Sequence, residues 1–334
     1  MRSLYSLGVR LYGAGISLSA IFNEKAAKWK SGRTNLPDHL PENLEGCVWI
    51  HCASLGEFEQ GRPLIEALKE ERGVKILLTF FSPSGYEIRK NYPLADAVVY
   101  LPLDTPENAN RFLDNIKPSV AIFVKYEIWH NFFREIGQRG IPLYLISAIF
   151  RPDQIYFKPY GKWFAQTLQG VNHIFCQDRK SAELLKEKGI EQVTVAGDTR
   201  FDRVVKLAEE GKPIPEIEEW LKGRPALVIG SSWPADEKII NSSLEVLSDD
   251  FALIFAPHEI KAEKVERLKQ MLGGADLFTE LPSTEAPSRF LIVNTIGLLS
   301  RIYRYGQLAY IGGGFGAGIH NTLEAAVYGI PVVF

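Results

Sequence analysis

Two doubly wound α/β domains are the fold this sequence predicts, on three observations. From Cys47 onward, apolar runs of strand length alternate with amphipathic stretches of helix length, the pattern of parallel strands covered on both faces. A polar, proline-bearing stretch, Glu209-Glu210-Gly211-Lys212-Pro213-Ile214-Pro215, interrupts the alternation. The alternation then resumes and runs to the last residue. A chain of 334 residues is long enough for two domains that each bury a core.

The elements begin with an N-terminal stretch, Leu4 to Phe22, that is apolar apart from small polar residues and Arg10, and is followed by Lys25, Lys28, Lys30 and Arg33. Its uninterrupted part, Leu11 to Phe22, is shorter than the roughly 20 residues that cross a bilayer. Residues 1–23 are therefore expected to form a helix lying in a membrane interface, anchored by basic residues on the cytoplasmic side. A short span and a plain soluble helix are the alternatives. A signal peptide is not supported, because no small-x-small cleavage site precedes a cysteine-rich domain.

The first domain, residues 24–204, carries the expected strands Val48–Ala53, Lys75–Phe81, Ala97–Leu101, Val120–Val124, Leu143–Ser147, His173–Cys176 and Val193–Ala196. A linker is expected over 205–223. The second domain, residues 224–334, carries Ala226–Gly230, Phe251–Phe255, Phe290–Val293, Leu308–Gly312 and the terminal Pro331–Phe334. Because the chain stops inside a strand, this domain is expected to be incomplete. Two such domains facing each other place a ligand cleft at the carboxyl ends of their strands, so chemistry is sought at strand ends.

At the end of the first strand stands His51-Cys52-Ala53-Ser54-Leu55-Gly56-Glu57, ahead of a helix expected from about Phe58 to Glu71. Glu57 has two readings, a general base facing the cleft or a carboxylate offsetting a helix dipole. Lys125-Tyr126-Glu127-Ile128-Trp129-His130-Asn131 follows the fourth strand. There Lys125, Glu127 and Asn131 are expected to cluster, either to orient a substrate or as a structural ion pair with Trp129 as a core anchor. Arg200, within Gly197-Asp198-Thr199-Arg200-Phe201-Asp202, can neutralise a leaving group. Ser231 and Ser232 can hold a phosphate, and Pro257 and His258 can line a base pocket. His258 is equally readable as a packed histidine.

The glycine-rich stretch Gly312-Gly313-Gly314-Phe315-Gly316-Ala317-Gly318-Ile319-His320-Asn321-Thr322-Leu323-Glu324 follows an apolar segment and is expected to feed directly into a helix. That arrangement suits a phosphate, with Gly313, Gly314 and Gly316 opening the backbone and the helix N-terminus supplying donors. Asn321 and Glu324 fall on one helical face and suit a sugar hydroxyl. Gly312, Gly314 and Ala317 also fit a dinucleotide fingerprint, but the acidic residue required about 20 positions later would lie beyond Phe334. A tight turn with packing glycines is the third reading.

Composition narrows the classes. With 46% hydrophobic and 23% charged residues the chain is globular, and a net charge of −2 offers nucleic acid no global attraction. Cys47, Cys52 and Cys176 show neither an even count nor C-x-x-C spacing, which points to buried thiols. There is no H-E-x-x-H and no Asp-x-Asp pair, so a metal-independent site is expected.

Taken in order, Ser54-Leu55-Gly56-Glu57, the Thr79 to Gly85 turn, Leu101-Pro102-Leu103-Asp104, Glu127-Ile128-Trp129-His130-Asn131 and His320-Asn321-Thr322-Leu323-Glu324 resemble the 3-deoxy-D-manno-octulosonic acid (Kdo) transferases. These are glycosyltransferases of the two-domain GT-B fold. The resemblance implies an inverting transfer of Kdo from CMP-Kdo to a lipid A precursor (lipid IVA), without a cofactor, at the cytoplasmic face of the inner membrane. It assigns Glu57 as the base, and Glu127 and Arg200 as groups that stabilise the transition state and leaving group. It places CMP contacts on Pro257, His258, Ile296, Gly297, Leu298, Asn321, Thr322, Leu323 and Glu324.

Departures accompany the match. Lys125 stands where the family usually has a carboxylate, His130 for a proline, Arg200 for a lysine, Trp233 for a histidine and Leu298 for a glutamate. A usual C-terminal segment returning to the first domain is absent from the sequence. Two rivals remain at this stage: another GT-B nucleotide-sugar transferase or nucleotide-sugar 2-epimerase, and a two-lobed ligand-binding protein without turnover.

Overall fold

The computed structural model describes residues 1–34, 43–283, 287–316 and 318–334. The chain divides into two compact units, Met1–Arg200 and Phe201–Phe334. The division falls ahead of the expected linker, and most of 205–223 is helical. The helix Thr199–Glu210 runs across the division, and Pro215–Leu221 is a second helix. Its Ile217 and Trp220 are buried in the core of the second unit, which is why a stretch with two prolines is not a linker. Pro215 sits in the first helical turn, where its missing N–H costs nothing.

The first unit holds a seven-stranded, all-parallel sheet in the order β3-β2-β1-β4-β5-β6-β7. The strands are β1 Val48–Cys52, β2 Ile76–Phe80, β3 Ala97–Tyr100, β4 Val120–Val124, β5 Leu143–Ala148, β6 His173–Cys176 and β7 Val193–Val195. They lie within a residue or so of the expected runs. Every residue of β1 and β2 is buried, as strands covered on both faces must be. Successive residues feed opposite cores. Trp49, Leu77 and Phe123 join Phe112 and Phe132 on one face, and Ile50, Leu78 and Val124 join Phe58 and Ile65 on the other. Cys47, Cys52 and Cys176 are free, buried thiols.

The N-terminal stretch is one helix, Arg2–Ser19, followed by Glu24–Ser31. It belongs to the first unit. Gly13 permits the seating, since a Cβ there would lie 2.5 Å from Leu103 Cδ1. The opposite face carries exposed Leu4, Leu7, Leu11 and Leu18, a stripe at helical spacing. Among the described residues no helix is long and apolar enough to cross a membrane.

The second unit has a six-stranded parallel sheet in the order β10-β11-β9-β8-β12-β13. Its strands are β8 Ala226–Ser232, β9 Ala252–Pro257, β10 Asp276–Leu277, β11 Phe290–Ile292, β12 Leu308–Ile311 and β13 Val332–Val333. The two-residue β10 is too short to leave a pattern in the sequence and was not expected. Both sheets reverse their strand order beside their first strand, at β1/β4 and at β8/β12. Crevices open at such switch points.

Candidate active site

In the first unit the segments leaving β1 and β4 meet at the switch point, and they carry the predicted acidic residues. The helix after β1 spans Leu55–Arg72, three residues earlier than expected. Glu57 therefore lies in its first turn, not in a loop before it. Ser54 is the N-cap, with extended backbone and no side-chain bond to a helix amide, and its hydroxyl donates instead to Glu57 Oε2. The carboxylate thus gains from the helix N-terminus and stands at the strand end at once, so the two readings of Glu57 describe one position. It is 8% exposed.

Beyond β4 the chain turns at Lys125, whose φ is +62°. Its ammonium reaches to 3.7 Å from Glu57 Oε1. Glu127 follows, and its carboxyl is pushed up to about 7 by burial first and by the charge of Glu57 second, with Lys125 opposing. Trp129 packs against Phe81 at 4.7 Å between ring centres, in line with the core-anchor reading.

Asn131 does not join this cluster, contrary to expectation. It is fully buried and its amide donates to Asp104 O at 2.7 Å and to Ser6 Oγ at 3.3 Å. Having started a helix at His130, the chain carries Asn131 to the side facing the N-terminal helix. His130, in the place of a proline, packs at a tilt against Trp163 with ring centres 4.0 Å apart and is hydrogen-bonded through Nδ1 to Thr167 Oγ1 at 2.8 Å.

Arg200 is tied to the same unit by a chain of polar contacts. Its guanidinium pairs with Asp198 at 2.6 Å. Asp198 in turn accepts from the amide of Gln60 at 3.2 Å, one helical turn beyond Glu57. The Arg200 charge is thus already met by a carboxylate, which the sequence reading did not include. The signal was there, two residues upstream in Gly197-Asp198-Thr199-Arg200.

In the second unit the switch point brings together β8, β9 and the glycine loop. Trp233, His258 and His320 form a stack, with centres 4.5 Å and 4.6 Å apart, and Trp233 Nε1 donates to His320 Nε2 at 3.2 Å. Pro257 ends β9, and the His258 amide donates to Ser232 O at 3.0 Å. His258 is therefore packed as well as placed at a strand end. Burial and the neighbouring His258 hold the His320 imidazole below its ordinary value.

Three expectations about the phosphate cradle need correction. The glycine loop does not run into a helix. The segment after Gly318 has no regular structure until Leu323–Ala326, a helix of four residues. Several of the loop's amides are already used: Gly313 N–H donates to Asp236 Oδ2 at 3.1 Å, and Gly316 and Gly318 N–H donate to Gly313 O at 3.3 Å and 2.9 Å. Gly313 has φ +101°, and a Cβ there would lie 2.3 Å from Gly318 O, so its glycine serves the turn. Ser231 and Ser232 are the last residues of β8. Buried Ser232 donates to Glu237 Oε1 at 3.3 Å, a carboxylate held by Arg267 at 2.8 Å. The third reading, a tight packed turn, accounts for this part of the loop. Gly314 and Gly316 are exposed in the turn, and Ala317, which completes the dinucleotide pattern, lies outside the described residues.

Asp236 was missed. Fully buried, it accepts from Trp233 N–H at 2.8 Å, Gly313 N–H at 3.1 Å and the Tyr310 hydroxyl at 2.9 Å. An acidic residue three positions after a helix cap, in Trp233-Pro234-Ala235-Asp236, was the available cue. Asn321 and Glu324 do meet, at 3.1 Å, and the Asn321 side chain also accepts Leu323 N–H at 3.1 Å. Burial raises the Glu324 carboxyl, against the opposing pull of Asn321 and Arg203. Thr322 caps the short helix that begins at Leu323. Ile296 is 87% exposed, Gly297 turns with φ +89°, and Leu298 caps the next helix.

Residues 24–203 match the family described as 3-deoxy-D-manno-octulosonic-acid transferase (kdotransferase). The chain belongs to this family. Over 304 residues it is 29% identical to the 3-deoxy-D-manno-octulosonic acid transferase of Aquifex aeolicus (strain VF5), covering 89% of this chain and 78% of that protein. The transferase of the same name from Bordetella pertussis is 26% identical over 312 residues, covering 88% and 72%. Among solved structures, a UDP-N-acetylglucosamine 2-epimerase superposes with a TM-score of 0.54 at 13% identity, covering 86% of this chain and 78% of that one. MnaA from S. aureus, solved with UDP, gives 0.51 at 13%, with the same coverage. At such identity these likenesses concern the fold alone, the GT-B type of two parallel-sheet domains. The family is one of glycosyltransferases, so a two-lobed binder without turnover is set aside.

Proposed function

We propose that this Kdo transferase family member moves Kdo from CMP-Kdo to a lipid A precursor such as lipid IVA, with inversion, and that Glu57 is the general base. One observation carries the reading. At the β1/β4 switch point a nearly buried carboxylate, oriented by Ser54 and Lys125, stands beside a second carboxylate, Glu127. In the step proposed, an acceptor hydroxyl gives its proton to Glu57 as its oxygen bonds to the anomeric carbon. The bond from that carbon to the CMP oxygen breaks, and its electron pair leaves with the phosphate. Negative charge develops on CMP, where a cation lowers the barrier. Arg200 is the proposed cation, with Asp198 holding its guanidinium.

CMP recognition is proposed for the second unit. His258, with Pro257 behind it, and the Asn321 to Glu324 turn are linked through the His258–His320 stack, and the exposed Ile296-Gly297-Leu298 turn is the further contact. No metal is invoked, so a chelator should leave the rate unchanged. Attachment to the cytoplasmic face of the inner membrane is proposed through Leu4, Leu7, Leu11 and Leu18, exposed on one side of the first helix.

The test is Glu57→Gln, assayed with CMP-Kdo and a tetraacylated lipid A precursor. Transfer should fall by a factor on the order of 10²–10⁴, the usual share of a general base, with CMP-Kdo binding retained. Turnover at the parent rate would remove Glu57 from the role.

A further inference from the structure

Lys125 combines two features that packing alone does not require. Its φ of +62° is a conformation residues with a Cβ seldom adopt, yet its amide still donates to Ile146 O at 2.9 Å. Pairing of β4 with β5 thus continues into the residue that makes the turn. Its ammonium lies 3.7 Å from Glu57 Oε1, with the side chain 25% exposed. A lysine at the surface would be freer, and a glycine would make this turn without strain.

The surroundings give that placement a use. From the helix after β1 come Glu57 and Ser54, from β1 the buried thiol of Cys52, from the turn after β4 Glu127, and from Ile155–Phe157 the hydroxyl of Tyr156. Burial and the carboxylates hold both the Cys52 thiol and the Tyr156 hydroxyl above their ordinary values, so both stay neutral. Lys125 is the cation set against the two carboxylates. An ammonium beside two carboxylates offsets their repulsion and draws the nearer one into a fixed geometry.

We propose that Lys125 is a positioning residue for the base: its ammonium, 3.7 Å from Glu57 Oε1, holds that carboxylate in its aim and offsets its repulsion with Glu127. The proposal rests on Glu57 as general base and adds to it the residue that makes it so. Without the cation, the aim of Glu57 and the offset of its repulsion with Glu127 are lost.

The test compares Lys125→Met, Lys125→Gln and Lys125→Arg in Kdo transfer from CMP-Kdo to a tetraacylated lipid A precursor across pH 5–9, the full chain being checked by thermal unfolding. With the base no longer held in its aim, both neutral variants should lose roughly ten-fold or more in kcat at pH 7, with KM for CMP-Kdo within about two-fold. The titration near neutrality should move to higher pH, because Lys125 holds Glu127 down. Lys125→Arg should restore most of the rate and the profile. Parent rate and profile in Lys125→Met and Lys125→Gln overturn the proposal, as does a Lys125→Arg enzyme no better than either. If Glu57→Gln is inactive while the neutral variants behave like the parent, the Lys125 role alone fails. If Glu57→Gln turns over normally, the base assignment fails first.

Discussion

The hydroxyl of Tyr5 donates to Asp104 Oδ2 at 2.6 Å, joining the first helix to the turn after β3. Asp104 is fully buried and also accepts the amides of Asn131 at 3.1 Å and Phe132 at 2.9 Å. Two short motifs that carry the family resemblance, Leu101–Asp104 and Glu127–Asn131, thus share a structural task. They hold the N-terminal helix, and with it the turn that bears Lys125 and Glu127.

Tyr5→Phe removes one hydrogen bond to a buried acid, and Asp104→Ala leaves two amides and a hydroxyl without their acceptor. The expected costs are about 1 kcal/mol for the first and about 3 kcal/mol or more for the second, since buried donors left unpaired carry the full desolvation penalty. Chemical denaturation of the two variants should rank them in that order. If the helix docks through this network, proteolysis within residues 1–23 should accelerate in Asp104→Ala.

The pH dependence of stability follows from Glu127. Burial, then Glu57, raises its carboxyl from 4.5 to about 7 in the folded chain, so folding favours the protonated form. That contribution is fully present below pH 4.5 and is lost as pH rises through 7. Glu127→Gln should raise the thermal midpoint at pH 8 by about 3–6 °C, as a gain of ~1.5 kcal/mol would in a domain of this size, and change it little at pH 4.5. An equal shift at both pH values would separate the effect from ionisation.

How much of this was legible in the sequence depends on the range of the interactions. The strands were readable because runs such as Ile76–Phe80, apolar but for Thr79, are buried at every position and so covered on both faces. The position of Glu57 was readable because a strand end is local. Its helix start was misjudged because Leu55-Gly56-Glu57 carries no hydrophobic period that would mark a first turn. The glycine loop misled for a different reason. Glycines that admit a phosphate and glycines that permit a tight turn look alike, and the difference lies in Asp236, far away along the chain. Asn131 was misplaced likewise, since its partners Ser6 and Asp104 come from other elements.

Asp236 gives a prediction for the second unit. Asp236→Ala removes the acceptor of Trp233 N–H, Gly313 N–H and Tyr310 Oη at once, and should destabilise that unit by about 2–4 kcal/mol. Gly313→Ala should act through the same loop, because its φ of +101° and the 2.3 Å approach to Gly318 O leave no room for a methyl group. Both variants should weaken CMP binding in calorimetry while leaving the first unit's unfolding transition in place.

Arg200 offers the sharpest separation of chemistry from stability. It is exposed and paired with Asp198, so Arg200→Ala should leave the thermal midpoint within about 1–2 °C of the parent, as surface pairs contribute ~0–1 kcal/mol. If its charge meets the departing CMP, kcat should nonetheless fall by a factor on the order of 10², with the CMP-Kdo dissociation constant changed much less. Arg200→Lys keeps the charge but gives up the forked contact with Asp198, and should fall between the two. Asp198→Asn then tests the positioning. It leaves the guanidinium charged but no longer clamped, so kcat should drop less than in Arg200→Ala, and combining the two substitutions should cost no more than Arg200→Ala alone. An additive double variant would mean that Asp198 and Arg200 act separately.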